Sequence, residues 1–336
     1  DAATREGAPA PLRSWGAAAL ATGPGRGLTP AGPPPQIWPA CEPLPPPAGG
    51  GADVFLVHGF GASSGHWRRT GPALEAAGHR AFALDLLGFG ASEKPVGYTF
   101  STEDWAEQVA DYVRAHAAPG APVVLVGNSI GSLVALAAAA RLSGQGEGAV
   151  EVAGVCLLNC AGGLNNKGAA DDLRVAVFLP LFWLIDWLLS IPSVARALFD
   201  RFRSRENVAQ VLRGVYSDQG AVDDELVELI YRPSEDAGAL ETFVSVITGD
   251  PGPRPEALAA ALPAGVPLLV LWGDADTFTP LGGPVGEFFA AELCAPGGRP
   301  GARFAELASC GHCPHDDRPE AVHGELLPWL AALARV

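Results

Sequence analysis

The chain has 336 residues, 48% of them hydrophobic, and 37 acidic residues against 22 basic ones give a formal net charge of −15. That length can bury one large core, or a core with a smaller cap over it. So large a surplus of carboxylates excludes a general binder of the phosphate backbone, and nucleic acid is not an expected partner.

The first fifty residues differ in kind from the rest. They are rich in Pro, Ala and Gly, contain Pro33-Pro34-Pro35, Pro45-Pro46-Pro47 and Gly49-Gly50-Gly51, and hold few large apolar side chains. Residues 1–50 therefore read as an extension largely outside the core, apart from an edge strand near Ile37-Trp38, and residues 51–336 as the folded domain. The chain starts at Asp1 and contains no methionine, as expected of a processed or trimmed precursor. Arg5, Arg13 and Arg26 amid Ala and Ser fit the end of an organelle transit peptide, while Asp1 and Glu6 run against it.

From residue 51 onward, short apolar runs alternate with helical patterns, and there is no internal repeat. Strands are predicted at 53–57, 80–84, 122–127, 151–158, 267–272 and 302–307, and helices include Trp67 to Ala77, Thr102 to Ala117, Ile130 to Leu142 and Glu320 to Ala334. Strands separated by helices imply a mostly parallel sheet covered on both faces. The first strand, Val54-Phe55-Leu56-Val57, runs into His58-Gly59-Phe60-Gly61. The glycines after Asp85 lack the G-x-G-x-x-G spacing of a dinucleotide loop, and no cofactor is expected.

Residues 123–136, VVLVGNSIGSLVAL, carry the most information. A buried-strand run ends in Gly127-Asn128-Ser129-Ile130-Gly131, and an Ala-rich helical pattern follows at once. G-x-S-x-G between strand and helix is the nucleophile elbow: a sharp turn lifts the serine to the head of the helix, and the glycines leave room for its neighbours. Ser129 is the candidate nucleophile. In a fold built this way, one oxyanion-hole N–H comes from the loop after the first strand, here Phe60, and the other from the residue after the nucleophile, Ile130.

An insertion of about a hundred residues, near 162–262, occupies the place of a cap. Its apolar centre, Phe178 to Ile191, is too short for a membrane span and contains Pro180 and Asp186. One or two cap helices are expected there. Trp183, Leu184, Trp187 and Leu188 recur at helical spacing, as a lid or wall over a lipophilic substrate would; contact with a membrane surface is a further reading of the same stretch, and core packing the plain one.

Val266 to Trp272 is the next buried strand, and Gly273-Asp274-Ala275-Asp276 follows it. A carboxylate at the carboxyl end of a parallel strand can orient an imidazole, and of Asp274 and Asp276 the second is preferred. The last loop, Ala308 to Asp317, holds His312 and its rival His315. His312, in a Gly-His turn before the final helix, is the preferred base, which completes the order Ser, Asp, His. Cys310-Gly-His-Cys313 in that loop matches C-x-x-C. Four ligands within six residues cannot wrap one tetrahedral ion, so no metal is expected. A disulfide across the pair would twist the backbone that aims His312. The six cysteines are irregularly spaced, which fits a reducing compartment.

His58-Gly-Phe-Gly-Ala-Ser, Gly-Asn128-Ser129-Ile-Gly, Leu158-Asn-Cys-Ala-Gly-Gly-Leu-Asn-Asn-Lys and Gly-His312-Cys-Pro-His-Asp together resemble the plant and algal chloroplast α/β-hydrolases that remove phytol from chlorophyll, among them pheophytinase, chlorophyll dephytylase and algal chlorophyllase-type enzymes. The resemblance spans roughly residues 53–334. It implies the α/β-hydrolase fold with a helical cap, a chloroplast location, and a phytyl ester, chlorophyll or pheophytin, as substrate. It also implies Ser129 as nucleophile, His312 as base, Asp276 as acid in a G-x-x-D-x-x-x-P pattern, and Phe60 and Ile130 as oxyanion donors. The elbow differs from the Gly-His-Ser-Arg-Gly of land-plant chlorophyllases, so the likeness is to the pheophytinase-like branch. A general carboxylesterase or lipase with the same residues is the alternative.

Overall fold

Six apolar runs pair into one parallel sheet: β1 (Asp53–Val57), β2 (Arg80–Leu84), β3 (Val123–Asn128), β4 (Val152–Leu158), β5 (Leu268–Gly273) and β6 (Ala302–Leu307), in the order β2-β1-β3-β4-β5-β6. The computed structural model describes residues 51–144, 150–165, 167 and 177–333. The extension 1–50, with its edge strand and transit-peptide reading, lies outside them.

β1 and β3 are buried at every position, because helices cover the sheet on both sides. Alternation sends Phe55, Val57, Val123 and Leu125 into one hydrophobic cluster and Val54, Leu56, Val124 and Val126 into the other. In chain order, a 3₁₀ turn at Ser64–Trp67 leads into α1 (Thr70–Ala76), so the predicted helix from Trp67 begins three residues later. α2 (Thr102–His116) starts where Ser101 accepts the Asp104 N–H at 3.1 Å and has Glu103 and Asp104 in its first turn, Arg114 and His116 in its last. α3 (Ile130–Leu142), whose alanines allow close approach, is buried nearly all round.

The insertion folds into α4 (Leu179–Leu189), α5 (Pro192–Phe202), α6 (Arg205–Val215), α7 (Asp224–Tyr231), α8 (Ala239–Thr248) and α9 (Pro255–Ala261). Pro180 does not break α4, because it sits in the first turn, where its missing N–H costs nothing. Asp186 does not break it either: Lys167 Nζ, which also donates to the Thr248 carbonyl, meets its carboxylate at 3.1 Å. The break comes at Pro192, where α5 leaves α4 at 104°. Among the described residues no single helix is long and apolar enough to cross a membrane. The chain then forms α10 (Pro284–Glu287), α11 (Pro314–Asp317) and α12 (Pro319–Leu333). α12 packs Val322, Leu326, Trp329 and Leu330 with Leu74 of α1 against one sheet face, and α2 and α3 lie on the other.

The strand order reverses between β1 and β3, since the chain goes from β1 outward to β2 and returns on the far side. The carboxyl ends of strands flanking such a reversal form a crevice, and the loops that matter here leave those ends.

Candidate active site

Ser129 has φ 56° and ψ −123°, a conformation that a non-glycine residue adopts only when its surroundings enforce it. The two flanking glycines show the enforcement. A Cβ on Gly127 would lie 2.2 Å from the Gly131 carbonyl oxygen, and one on Gly131 would lie 2.3 Å from the Val57 carbonyl oxygen. The helix can therefore start against β1 only if both side chains are absent. Ser129 itself is half-buried.

His312 Nε2 lies 2.9 Å from Ser129 Oγ, and its Nδ1 lies 2.8 Å from Asp276 Oδ2. Burial alone would raise the Asp276 carboxyl, but hydrogen bonds from His312, Thr279 and Asn159 outweigh it and hold the group at about 2. An ionised carboxylate only accepts, so Nδ1 carries the proton and Nε2 is free to accept the Ser129 hydroxyl. Asp276 is fully engaged: Oδ1 accepts the Phe278 and Thr279 N–H groups at 2.7 and 3.1 Å, and Oδ2 accepts Thr279 Oγ1 and Asn159 Nδ2, each at 2.7 Å. Asp274, the other candidate, is exposed and caps the Cys310 N–H at 3.2 Å, away from the imidazole. His315, the rival base, is buried against Trp67 and His66 with ring centroids 4.1 and 4.5 Å away, and burial drives its pKa well below 6.5. It is a neutral core residue.

Phe60 and Ile130 both border the serine. Gly59 lies so close that a Cβ there would be 3.2 Å from Ser129 Cβ, and Ile130 is the first residue of α3. The loop is held by His58. Its Nε2 accepts the Leu86 N–H at 3.0 Å, so Nδ1 donates to the Gly59 carbonyl at 2.8 Å, and burial keeps the ring neutral. That fixes the peptide plane next to Phe60.

The cap reaches the loop that carries His312. The His312 N–H donates to the Val215 carbonyl at 2.8 Å. Asp317 accepts from Gly311 at 2.6 Å in the loop and from Ser217 and Asp218 at 3.0 and 2.7 Å in the cap. Asp316, fully buried, receives Arg68 at 2.8 Å, Arg69 at 3.2 Å and the Tyr216 hydroxyl at 3.1 Å. Arg68 continues to Asp223, the cap of α7.

The cap also holds an open, mostly apolar cavity of about 660 Å³, lined among others by Ile185, Leu188, Leu189, Phe202 and Phe243. None of Ser129, His312 and Asp276 lines it; Phe243 connects it to the site, with its ring 6.1 Å from that of Phe60. Of the four predicted cap residues only Leu188 faces this cavity. Trp183, Leu184 and Trp187 do not line it and are 64%, 49% and 60% exposed: the two tryptophans turn away from the cavity, and Leu184 lies one turn from Leu188 at its edge. The four do not form one wall: the side of α4 that faces the cavity is Ile185, Leu188 and Leu189.

The two cysteines of the C-x-x-C pair are free and buried in different clusters. Cys310 packs in the cluster beneath the sheet and Cys313 in the cap cluster with Val208, Leu212 and Leu226. Burial raises Cys310 to about 12 and Cys313 well above its ordinary value, so neither offers a thiolate for exchange.

Asn159, Thr279, Asp316, Asp317, Tyr216 and Arg68 were not singled out from the sequence. A signal existed for Asn159 alone: it is a polar residue directly after the apolar run of β4, on the catalytic edge, where the chain turns with φ 42°, a conformation asparagine tolerates.

The sequence pattern of the alpha/beta hydrolase family matches residues 54–325. The chain belongs to that family. It is 27% identical over 327 residues to the chloroplastic pheophytinase of Arabidopsis thaliana, covering 87% of this chain and 63% of that protein. It is 26% identical over 278 residues to the uncharacterized hydrolase YugF of Bacillus subtilis (strain 168), covering 82% and 89%. The chain thus spans somewhat under two thirds of the pheophytinase and most of the bacterial protein. Among solved structures, a serine hydrolase involved in carbazole degradation superposes with a TM-score of 0.60 at 21% identity, covering 85% of this chain and 93% of that one. That likeness establishes the fold.

Proposed function

We propose that this hydrolase-family protein is a serine carboxylic-ester hydrolase, and that its substrate is the phytyl ester of a chlorin, chlorophyll or pheophytin. The observation that carries the reading is the unbroken relay from Ser129 through His312 to a carboxylate held ionised. His312 Nε2 takes the hydroxyl proton as Ser129 Oγ attacks the carbonyl carbon. The tetrahedral oxyanion faces the Phe60 and Ile130 N–H groups. His312 then protonates the departing alkoxide, and water, deprotonated by the same nitrogen, releases the acid from Ser129.

The finer reading rests on the cap cavity and on the similarity to a pheophytinase. A twenty-carbon tail offers at most roughly 16 kcal/mol of transfer energy at ~0.8 kcal/mol per CH₂. A cavity remote from the reacting atoms, apolar and joined to them through Phe243, suits such a non-reacting arm. Parallel assays of chlorophyll, pheophytin and a short nitrophenyl ester test it. Turnover of a phytyl ester, depressed more by Leu188→Asp than short-ester turnover is, supports the reading. Turnover of the short ester alone makes the protein a general carboxylesterase.

A further inference from the structure

α4 presents an apolar face to solvent that no other part of the described chain covers. Phe178, Leu181, Trp183, Leu184 and Trp187 are each about half exposed or more. Single exposed apolar residues are ordinary, but five within ten positions, two of them tryptophan, form a patch of the kind that marks an interaction surface. Asp186 does not interrupt it, since its charge is met by Lys167.

Two further observations say what meets this face. The first is continuity. Leu184, one helical turn from the cavity-lining Leu188, brings the exposed side of α4 to the cavity edge, and Leu198, Phe202 and Val211 of α5 and α6 are partly exposed and also line it. The second is charge. The protein as a whole carries −15, yet the stretch 177–215 holds five arginines against Asp186, Asp200 and Glu206. Arg203 is paired with Asp200 and Arg205 with Glu228. Arg196, Arg201 and Arg213 are exposed and have no carboxylate partner among the described residues. Within a strongly acidic protein, the two helices that follow α4 thus present three exposed arginines free of carboxylates, one of them, Arg201, at the cavity that Leu188 of α4 also lines.

We infer that the α4–α5–α6 side of the cap is a docking surface for an anionic lipid membrane. Tryptophans settle at the boundary between headgroups and chains, arginines meet the anionic headgroups, and the cavity mouth faces the acyl layer. An apolar ester dissolved in that layer enters the cavity without crossing water. The purpose assigned to docking rests on the hydrolase reading; the docking itself is measured without turnover.

The test uses the full chain, active and as Ser129→Ala, with vesicles of phosphatidylcholine alone or mixed with phosphatidylglycerol. Co-sedimentation and the blue shift of tryptophan emission are read against salt. Both proteins are expected to bind the mixed vesicles, more weakly as ionic strength rises. Trp183→Ser with Trp187→Ser lowers the partition coefficient on the order of a hundredfold, while hydrolysis of a soluble short ester without vesicles is unchanged. Arg196→Gln and Arg213→Gln each lower binding to the mixed vesicles by about fivefold and leave binding to phosphatidylcholine alone unaltered. Partition that is absent, or unaffected by the double tryptophan substitution, overturns the inference. A dimer that this substitution dissociates, with no vesicle binding, overturns it too and makes the face a contact between copies. Failed hydrolysis with intact vesicle binding would count against the ester reading alone.

Discussion

The backbone N–H of His312 donates to the carbonyl of Val215 at 2.8 Å, so the residue proposed as the catalytic base hangs from the last residue of cap helix α6. Gly311 makes this possible: a Cβ there would stand 2.1 Å from the same carbonyl oxygen. Cap and base loop are therefore one packed unit, and the acidic pair that follows the histidine secures it.

Asp317→Ala removes the acceptor shared by Gly311, Ser217 and Asp218. Displacement of a catalytic group by about 1 Å costs on the order of 10² in rate, so kcat on a short ester is expected to fall by that order. Each buried donor left unpaired also costs about 1–3 kcal/mol, which a urea titration reads. An unchanged kcat would mean that the cap does not position His312.

Asp276→Asn should leave the fold intact and lower kcat by about 10⁴, because an amide no longer fixes the imidazole tautomer. Asp274→Asn should be mild, as that carboxylate only caps the Cys310 N–H. The comparison is made on one short ester at one pH. The reverse ranking would move the acid to Asp274.

Stability should fall in mild acid. Burial lowers His66 to about 4 from 6.5, and also lowers His58 and His315. The folded state holds these rings neutral while the unfolded chain takes up protons below 6.5. Their contribution is therefore complete above pH 6.5, and is lost as pH drops through the interval down to the folded value. His66 alone accounts for about 2 kcal/mol between pH 7 and pH 5. Denaturant midpoints at the two pH values measure it; equal midpoints would contradict the burial assigned to these rings.

Cys310 and Cys313 should be inert. With both thiols buried and pushed up, a mild oxidant is expected to leave activity unchanged, and native-state alkylation to be slow until the chain unfolds. Reversible inactivation that disappears in Cys310→Ser would show that the loop opens far enough to join them.

Much of the fold could be read in advance because its signals are local. β1 and β3 are runs of branched apolar residues ending in glycine turns, and Ser129 is bracketed by the only residue type its neighbours permit. Asp276, His312 and the loop of Phe60 leave strand ends, where chain order follows from the fold. What escaped reading is set by distant contacts. The burial of Asp316 depends on Arg68, 248 positions earlier, and that of Asp317 on a cap turn a hundred positions away. Helical spacing showed that Trp183, Leu184 and Trp187 share a stretch of helix, but the inward side of α4 is chosen by α5 and α8, which periodicity cannot see.

The central claim is that Ser129 is the nucleophile of an ester hydrolase, and the turnover number of Ser129→Ala on a short nitrophenyl ester tests it most directly. Removal of a serine nucleophile from an intact relay costs on the order of 10⁶ in kcat. The account predicts a loss of that size in a protein whose unfolding midpoint matches the parent. Retention of even a few per cent of the parent rate would contradict it.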